Sequence, residues 1–326
     1  MYATATTPRC TELKNLLDKS VQKNYADALL LSGGLDSSIL AYVAKPRVSF
    51  TVSLGDNAPD LEYAIRVATK YSQEHIIVKL TYQNLLEIIE ELVKVLKTFS
   101  PLEIRNSSVT FAGIRAAMNE GCKQIMTGDG GDELFAGYNY LSRYYVDVSA
   151  LDKELHKLWN SMHFSSIYLG KVTGVDVKMP LLDKQFVSYA KSVETVEKIG
   201  NHRGLTWGKF ILRKCYESKL GEEITWRPKL AQEEGAGTTN IKSFISRKLD
   251  NESFSSGQKN ALRELTKLRD KEHLYYYLLY RKYFPAPKDE ACDNHPRCTE
   301  CKGCFTDRGK YCRICGSFPV EPERPT

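Results

Sequence analysis

The sequence lacks any segment that would carry it into or across a membrane. No apolar run among its 326 residues reaches the length of about 18 residues that a membrane-spanning helix needs. Residues 1–11 also contain no apolar stretch like that of a secretory signal peptide. These absences argue against a transmembrane protein, and we expect a cytoplasmic one with no membrane partner.

Cysteine is scarce in most of the chain and concentrated near its end. Cys10, Cys122 and Cys215 are scattered, whereas the other six of the nine cysteines fall between residues 292 and 315. In a cytosolic protein such clustering favours a metal site over disulfide bonds. We find no internal repeat outside this cysteine-rich tail.

The remaining composition is that of an ordinary globular protein. With 42% hydrophobic and 26% charged residues, the chain can bury a substantial core. Its length suffices for one large or two ordinary domains. The net charge of +6 is a mild excess, which permits a nucleic-acid partner such as tRNA without requiring one.

Short apolar runs alternate with segments of helical periodicity early in the chain. Four runs predict strands, at 28–31, 48–54, 74–80 and 124–127. The alternation predicts an α/β fold with a parallel sheet and helices on both of its faces. Ligands of such sheets bind at the carboxyl ends of the strands. Ser32 and Gly128 follow the first and fourth strands, so we expect both at the ligand-binding edge.

We expect five segments along the chain: a lead-in helix at 1–26, an α/β core at 27–139, a mainly helical part at 140–284 that completes the site, a linker at 285–291 and the cysteine-rich tail at 292–326. The last helix of the helical part, at 258–284, is basic and rich in tyrosine. Packing of these tyrosines against the body is favoured over stacking on RNA.

The most informative segment follows the first strand and has the sequence Ser-Gly-Gly-Leu-Asp-Ser-Ser from Ser32 to Ser38. Glycines let the backbone N–H groups of a loop close around phosphate oxygens. Ser37 and Ser38 fall at the start of the next helix, where free N–H groups favour an anion. No Gly-Lys-Ser/Thr follows, so this is not a Walker loop. A carboxylate beside a polyphosphate usually acts through Mg²⁺, which gives Asp36 a chemical role.

A second glycine-rich segment follows the fourth strand, with the sequence Thr-Gly-Asp-Gly-Gly-Asp-Glu-Leu-Phe-Ala-Gly-Tyr at 127–138. The carboxylates of Asp129, Asp132 and Glu133 would repel one another unless a cation lay among them. Mg²⁺ bound to pyrophosphate would supply that cation. The alternative is an acidic loop exposed to solvent.

Taken together, these segments resemble the ATP pyrophosphatase (PP-loop) superfamily and, within it, the synthetase domain of asparagine synthetases, shared with β-lactam synthetase. The resemblance continues in the family's order through four further motifs: Val-Lys-Met-Pro-Leu-Leu-Asp at 177–183, Lys-Phe-Ile-Leu-Arg at 209–213, Ile-Thr-Trp-Arg-Pro-Lys at 224–229 and Gly-Ala-Gly at 235–237. It implies a chain that uses ATP and Mg²⁺ to adenylate a small-molecule carboxylate and then transfers nitrogen to it.

The resemblance also implies roles for individual residues. Leu30 and Val52 would line the adenosine pocket, and Asp36 and Asp132 would bind Mg²⁺. Lys229 would stabilise charge on the phosphate and later on the tetrahedral intermediate. The phosphates would be held by Ser32, Gly33, Gly34, Asp36, Ser37 and Ser38, with Gly128 facing them. Arg105 and Asp183 are further candidate catalytic residues, Arg105 because an arginine suits a substrate carboxylate.

The sequence departs from the family's pattern at two points. Asp129 stands where asparagine synthetases carry Glu and β-lactam synthetase carries Tyr, an acid that would assist proton removal from the incoming amine. Tyr2 follows Met1 where the glutamine-dependent enzymes have a nucleophilic cysteine and a glutaminase domain. We therefore expect nitrogen to come from free ammonia, a separate glutaminase subunit or an amine, with a sulfur donor as the alternative.

The tail carries the spacing of a metal site. Two Cys-x-x-Cys pairs separated by a short loop are typical of tetrahedral Zn²⁺, and a short polar segment has no core of its own without metal. Cys301, Cys304, Cys312 and Cys315 are the expected quartet. Cys292, His295 and Cys298 would complete a second site, or would enter the first site in an alternative choice of ligands. An iron–sulfur cluster is the alternative to Zn²⁺.

Three functions compete on this sequence. The motifs beyond the first loop favour an AMP-forming amide synthetase. The tail, the basic charge and the missing glutaminase favour an enzyme that adenylates a tRNA base and replaces its oxygen with sulfur or nitrogen. The third is a nucleotide-binding adaptor whose tail docks a carrier protein, and the intact Asp36, Asp132 and Lys229 argue against it.

Overall fold

The structure is a computed structural model that describes residues 8–292, 295–305 and 310–323. The expectation for residues 1–11 therefore falls largely outside the described residues, as do parts of the tail. The chain forms two compact units, each assembled from separate segments. The first contains the chain up to Val52 with Ala58–Val78 and Gly113–Ala231, and the second contains Ser53–Asn57, Lys79–Ala112 and the chain from Gln232 onward.

A parallel sheet of five strands organises the first unit. Its strands are β1 (Ala28–Leu30), β2 (Val48–Leu54), β3 (Glu74–Leu80), β4 (Gln124–Met126) and β5 (Asp176–Lys178). They lie in the order β3-β2-β1-β4-β5, and β1 pairs in parallel with both β2 and β4. The predicted α/β fold is confirmed. Because the strand order reverses between β1 and β4, a crevice for a ligand is expected at their carboxyl ends.

Helices and one hairpin account for much of the rest of the described residues. The helices are α1 (Pro8–Lys23), α2 (Leu35–Ala44), α3 (Leu61–Tyr71), α4 (Tyr82–Leu96), α5 (Pro101–Asn119), α6 (Gly131–Leu134), α7 (Val148–Ser161), α8 (Ser165–Thr173), α9 (Lys184–Ser192), α10 (Thr195–Lys198), α11 (Phe210–Leu220), α12 (Glu222–Thr225), α13 (Gln232–Gly235), α14 (Ile241–Lys248), α15 (Asn251–Arg263) and α16 (Lys271–Tyr283). The antiparallel hairpin joins β6 (Ile199–His202) to β7 (Leu205–Gly208). No helix in the described part of the chain is both long and apolar enough to cross a bilayer.

The segment at 140–284 differs from the expected succession of helices in two places. It contains β5 and the hairpin, whose two turn residues, Arg203 and Gly204, both have positive φ, as a tight two-residue hairpin turn requires. The single helix expected at 258–284 was wrong. The chain forms α15 and α16 instead, because Asp270 accepts the backbone N–H of His273 and begins a new helix.

Each unit has its own apolar core. In the first unit α1, α2 and α11 bury large side chains such as Leu17, Leu40 and Tyr216, which have no exposed surface. Each such side chain contributes about 1.5–3 kcal/mol to folding. In the second unit the ring of Phe99 packs against those of Tyr277 and Tyr280 from α16. The tyrosines of this helix are thus largely core residues, as the packing interpretation predicted.

Asp183 joins two helices of the first unit. Its carboxylate accepts the backbone N–H of Gln185 at 3.0 Å and caps α9. It also pairs with Lys23, at the end of α1, at 2.7 Å. Burial of the carboxyl tends to raise its pKa, but the hydrogen bonds from Lys23 and Gln185 outweigh burial, so the pKa lies below its ordinary value. These contacts assign Asp183 a structural role.

We expect Asp183→Ala to lower the free energy of unfolding by about 1–2 kcal/mol at neutral pH, the usual cost of a lost cap. A lowered native pKa stabilises the fold above the ordinary carboxyl pKa of about 4, and the contribution disappears as the pH falls through the native value. Urea unfolding at several pH values measures both effects. Asp147→Ala, which removes the cap of α7, is the matched control. A loss that stays equal at acid and neutral pH would contradict the assignment.

Candidate active site

The loop between β1 and α2 leaves the start of α2 open to a ligand. Its serines bond within the loop: the Oγ atoms of Ser32 and Ser37 lie 3.1 Å apart, and Ser32 Oγ accepts the N–H of Gly34. Gly34 precedes α2 in an extended conformation, and no side chain caps the helix. The N-terminal end of α2 is therefore available to an anion such as a phosphate.

The second glycine-rich segment brings a carboxylate against this loop. Asp132 lies in α6, directly after β4, and Asp36 lies in the first turn of α2 after β1. A Cβ on Gly131 would lie 2.4 Å from Cγ of Asp36, and one on Gly137 would lie 2.2 Å from Oδ1 of Asp132. Only glycine leaves room for these carboxylates at both positions.

Lys209 lies between the two carboxylates. Its Nζ is 2.5 Å from Oδ2 of Asp36 and 2.9 Å from Oδ1 of Asp132, and the residue is only 4% exposed. Lys229 adds a second ammonium, 4.0 Å from Oδ2 of Asp132. Lys209, Lys229 and the two aspartates form a cluster of balanced charge, which we call the ion cluster.

The pKa shifts of Lys209 and Asp132 favour their charged forms, whereas that of Asp36 opposes its charged form. Burial lowers the pKa of Lys209, but Asp132 and Asp36 outweigh it and the pKa lies above its ordinary value. Burial would raise the pKa of Asp132, and the charges of Lys209 and Lys229 hold it below the ordinary value instead. Burial keeps the pKa of Asp36 raised, with Lys209 opposing it.

Asp36 also retains a free acceptor. Its Oδ1 is buried and has no hydrogen-bond partner among the described residues. An oxygen of this kind beside a second carboxylate fits a hard divalent cation such as Mg²⁺, which is bound by one or two carboxylates together with phosphate oxygens. Asp36 and Asp132 are therefore suited to the metal role expected of them.

Two arginines hold this arrangement, and sequence analysis assigned them no role. Arg227 donates to the carbonyl of Gly33 in the first loop at 3.1 Å and forms a buried ion pair with Asp60. Arg213 donates from Nε to the carbonyl of Gly208 at 2.9 Å, and from Nη1 to that of Thr225. Lys209 and both arginines fall inside motifs on which the resemblance rests, and that position was the available signal.

Asp129 is held on one side only. Its Oδ2 accepts hydrogen bonds from Thr127 at 2.8 Å and from Ser166 at 2.6 Å, whereas Oδ1 accepts none from the described residues. Burial raises the pKa of Asp129, and the two hydroxyl groups oppose that shift. A carboxylate fixed through one oxygen keeps the other for a proton. Ser166, in α8, was not predicted.

The remaining predicted residues divide between the two units. Leu30 and Val52 adjoin each other: a Cβ on Gly113 would lie 2.2 Å from Cδ1 of Leu30 and 3.5 Å from Cγ2 of Val52. The two apolar side chains thus lie side by side against Gly113. Arg105 belongs to the second unit, where it pairs with Glu272 at 2.8 Å. Asp183 does not join the ion cluster, since its partners are Lys23 and Gln185.

The tail gathers a different set of cysteines from the one expected. Cys298, Cys301, Cys312 and Cys315 are buried with their sulfur atoms within 4.8 Å of one another. The expected quartet was therefore wrong in one member, because Cys304 is disulfide-bonded to Cys292. The turn after Cys298 brings residue 304 back beside Arg297 in an antiparallel bridge. The side chain of His295 is exposed.

A parallel sheet with an open glycine–serine loop after β1, and with paired carboxylates where the strand order reverses, defines an α/β protein of the PP-loop ATP pyrophosphatase class. The profile of the family described as "Asparagine synthase" matches residues 12–169 and 169–295. The chain belongs to the asparagine synthase family.

Curated relatives agree with this assignment. Asparagine synthetase B [glutamine-hydrolyzing] of Escherichia coli (strain K12) is 27% identical over 310 residues, which are 86% of this chain and 55% of the relative. The probable asparagine synthetase [glutamine-hydrolyzing] of Dictyostelium discoideum is 30% identical over 296 residues, 79% of this chain and 51% of the relative. The chain thus spans about half the length of the curated relatives it matches.

One solved structure aligns with most of the chain. The U34-tRNA thiolase NcsA from Methanococcus maripaludis, solved with its [4Fe-4S] cluster, is 15% identical and has a TM-score of 0.31, with 94% of this chain and 86% of that chain covered. A likeness at this level supports neither a shared substrate nor a shared cluster.

We expect Lys209→Met to lower the stability of the nucleotide-free protein by about 3–5 kcal/mol, because two buried carboxylates lose their internal cation. Added Mg²⁺ should restore part of this loss and raise the Tm of the variant more than that of the wild type. Differential scanning calorimetry with and without Mg²⁺ measures both effects. Lys214→Met, on the exposed side of α11, is the matched control. A loss no larger than that of the control would show that Lys209 is not the counter-ion.

Proposed function

We propose that this chain is an ATP-dependent, AMP-forming amide synthetase that adenylates a small carboxylic acid and then joins nitrogen to it. The observation that carries the proposal is the ion cluster at the carboxyl ends of β1 and β4. In this cluster, two carboxylates that suit Mg²⁺ and two ammonium groups that suit phosphate lie at the open N-terminal end of α2. This is the charge pattern that the departure of pyrophosphate from ATP requires.

In the first step an oxygen of the substrate carboxylate attacks the α-phosphorus of ATP, and the bond to the pyrophosphate oxygen breaks. The N-terminal end of α2 and the loop from Ser32 to Ser38 hold the phosphates, and Leu30 and Val52 contact the adenosine. Asp36 and Asp132 would hold Mg²⁺, whose charge would offset that of the leaving pyrophosphate. Lys229 stabilises the negative charge that builds up on the α-phosphate.

In the second step a nitrogen nucleophile attacks the acyl carbon, and AMP leaves with its electron pair. The amine must lose a proton as the new bond forms. Asp129 accepts that proton on Oδ1, while Thr127 and Ser166 keep its carboxylate in place through Oδ2. Burial raises the pKa of this carboxyl, which makes Asp129 a stronger base than an exposed aspartate.

Family membership supports ATP, a carboxylate and a nitrogen donor as the reactants. Aspartate is the first acid to test, since the curated relatives carry the name asparagine synthetase. Free ammonium is the first donor to test, and a separate glutaminase or a carrier protein is the partner that we propose for the cell. We place this chemistry in the cytoplasm, where ATP is abundant.

The deciding experiment measures pyrophosphate released from Mg-ATP by the wild type, with aspartate plus ammonium as substrates. We expect release that depends on the acid, and AMP in equal amount. Lys229→Ala should reduce the rate by about a hundredfold or more, as is usual when a group that stabilises transition-state charge is lost. Lys184→Ala, which changes an exposed lysine of α9, should leave the rate unchanged.

Further arms of this assay identify the substrate class. A panel of other amino and keto acids tests for an acid other than aspartate. Bulk tRNA with a sulfide source tests the RNA-modifying alternative, and release in that arm alone would reject the amide synthetase. Equal activity of Lys229→Ala and Lys184→Ala would reject the role of Lys229.

A second prediction concerns Ser166. Its hydroxyl group opposes the effect of burial on Asp129, so in Ser166→Ala the pKa of Asp129 should rise further. We expect the acid limb of the pH–rate profile to move to higher pH, because the carboxylate then becomes a base only at higher pH. Thr173→Ala, near the other end of α8, is the control. A profile that drops in height without moving along the pH axis would contradict the assignment of Asp129 as the base.

A further inference from the structure

The cysteine quartet is spaced for a single metal ion. The sulfur atoms of Cys298 and Cys315 lie 3.8 Å apart, as do those of Cys301 and Cys312. A tetrahedral site with zinc–sulfur bonds of about 2.3 Å implies sulfur atoms about 3.8 Å apart. A four-iron cluster also uses four cysteines, but its iron and sulfide atoms lie between the thiolates and separate them further. The spacing therefore favours one ion over a cluster.

The quartet is built from two turns of the same kind, each containing one Cys-x-x-Cys pair. We call them the first knuckle and the second knuckle, at residues 298–302 and 312–316. In the first, the N–H of Lys302 donates to the carbonyl of Cys298 at 2.8 Å, and in the second the N–H of Gly316 donates to that of Cys312 at 2.7 Å. Lys302 and Gly316 both have positive φ. Two matching turns thus supply two sulfur atoms each.

The second knuckle is bound to the segment that precedes α5. The backbone N–H of Phe99 donates to the carbonyl of Ile314 at 2.8 Å. The hydroxyl group of Thr98 donates to the carbonyl of Arg313 at 2.6 Å. Two successive residues before α5 therefore bind two successive carbonyl groups of the second knuckle.

Both knuckles are bound to the segment that precedes α16. The backbone N–H of Lys267 donates to the carbonyl of Glu300, in the first knuckle, at 2.8 Å. The guanidinium of Arg269 donates to the carbonyls of Cys315 and Gly316, in the second knuckle, at 3.1 and 2.9 Å. This segment therefore depends on both halves of the quartet.

The segments before α5 and α16 meet at the buried ring of Phe99. This ring stacks on that of His273, with centroids 5.3 Å apart, and packs edge-on against those of Tyr277 and Tyr280, at 5.0 and 5.2 Å. All three partners belong to α16. The knuckles are thus hydrogen-bonded to both sides of one aromatic contact in the core of the second unit.

We propose that the cysteine quartet binds one divalent ion of the zinc class, and that this ion fixes the two knuckles to which the starts of α5 and α16 are bound. Thiol groups are weak hydrogen-bond donors and acceptors, so without the ion four buried thiols hold the two turns together only weakly. The segments before α5 and α16 then lose the fixed carbonyl groups that they bind. The ion is a folding cofactor of the second unit, and this role is independent of the proposed function.

The first test is the metal content of the full-length protein, purified from a medium that contains both zinc and iron. Elemental analysis should find one zinc ion per chain. Cobalt exchanged into the site should show the absorption of a tetrahedral thiolate complex. Iron in place of zinc, with or without inorganic sulfide, would overturn the assignment.

Two serine variants test the ligand set. Cys312→Ser should weaken zinc binding by more than about a hundredfold, the upper range for loss of a group that only supports a ligand. Cys304→Ser is the matched control and should bind zinc as the wild type does, because Cys304 is paired with Cys292. Competition with a chromophoric chelator measures both affinities. Equal affinities of the two variants would overturn the ligand set.

Hydrogen exchange after removal of the ion by a chelator tests its role. We expect exchange to become faster by about fivefold or more, the size of one lost hydrogen bond, over residues 98–100 and 267–273. Strands β1 and β4 of the first unit should keep their protection, and added zinc should restore the original rates. Unchanged exchange at the two segments, or an equal increase in all parts of the chain, would overturn the proposal.

A further variant separates the hydrogen bonds of the knuckle from the binding of the ion. Arg269→Ala leaves all four thiols in place, so it should keep the zinc ion and still speed exchange over residues 267–273. Lys310→Ala, which removes an ammonium group paired with Glu321, is the control in the tail and should change neither. Unchanged exchange in Arg269→Ala would show that the second knuckle does not hold the start of α16.

Discussion

The contact on which the first unit most depends is that of Lys209 with two carboxylates, at the place in the sheet where the strand order reverses between β1 and β4. Removing a carboxylate from water is expensive unless a cation and hydrogen bonds replace the water. Asp36 and Asp132 follow neighbouring strands, so the sheet itself forces them together. Lys209, directly before α11, offsets this repulsion because its ammonium group pairs with both carboxylates.

Several other features follow from that constraint. Gly131 and Gly137 have no side chain because a Cβ would occupy the space of the carboxylates. Gly208 precedes Lys209 and passes so close to Ala136 that a Cβ would overlap its carbonyl oxygen. Arg213 then holds the carbonyls of Gly208 and Thr225. The motifs after residue 200 therefore support the two glycine-rich loops although they lie far from them in sequence.

The sequence predicted the features that are local and missed those that depend on distant partners. The strands and the loop from Ser32 to Ser38 were predictable because apolar runs and glycine turns act over a few residues. The role of Lys209 was not, since its partners lie 173 residues and 77 residues earlier in the chain. Cys298, Cys301 and Cys304 form two overlapping Cys-x-x-Cys pairs, and either pair could supply two ligands. Spacing alone therefore could not exclude Cys304 from the quartet.

Each unit buries acidic groups that need a cation when they are ionised, and the two units differ in where that cation comes from. In the first, the lysine that neutralises the buried carboxylates is part of the chain and is present whenever the protein is folded. In the second, the four buried cysteines have no lysine or arginine side chain among their hydrogen-bond partners in the described residues, so thiolates there require an ion from solution. Metal supply should therefore act on the second unit, while the ion cluster of the first unit persists.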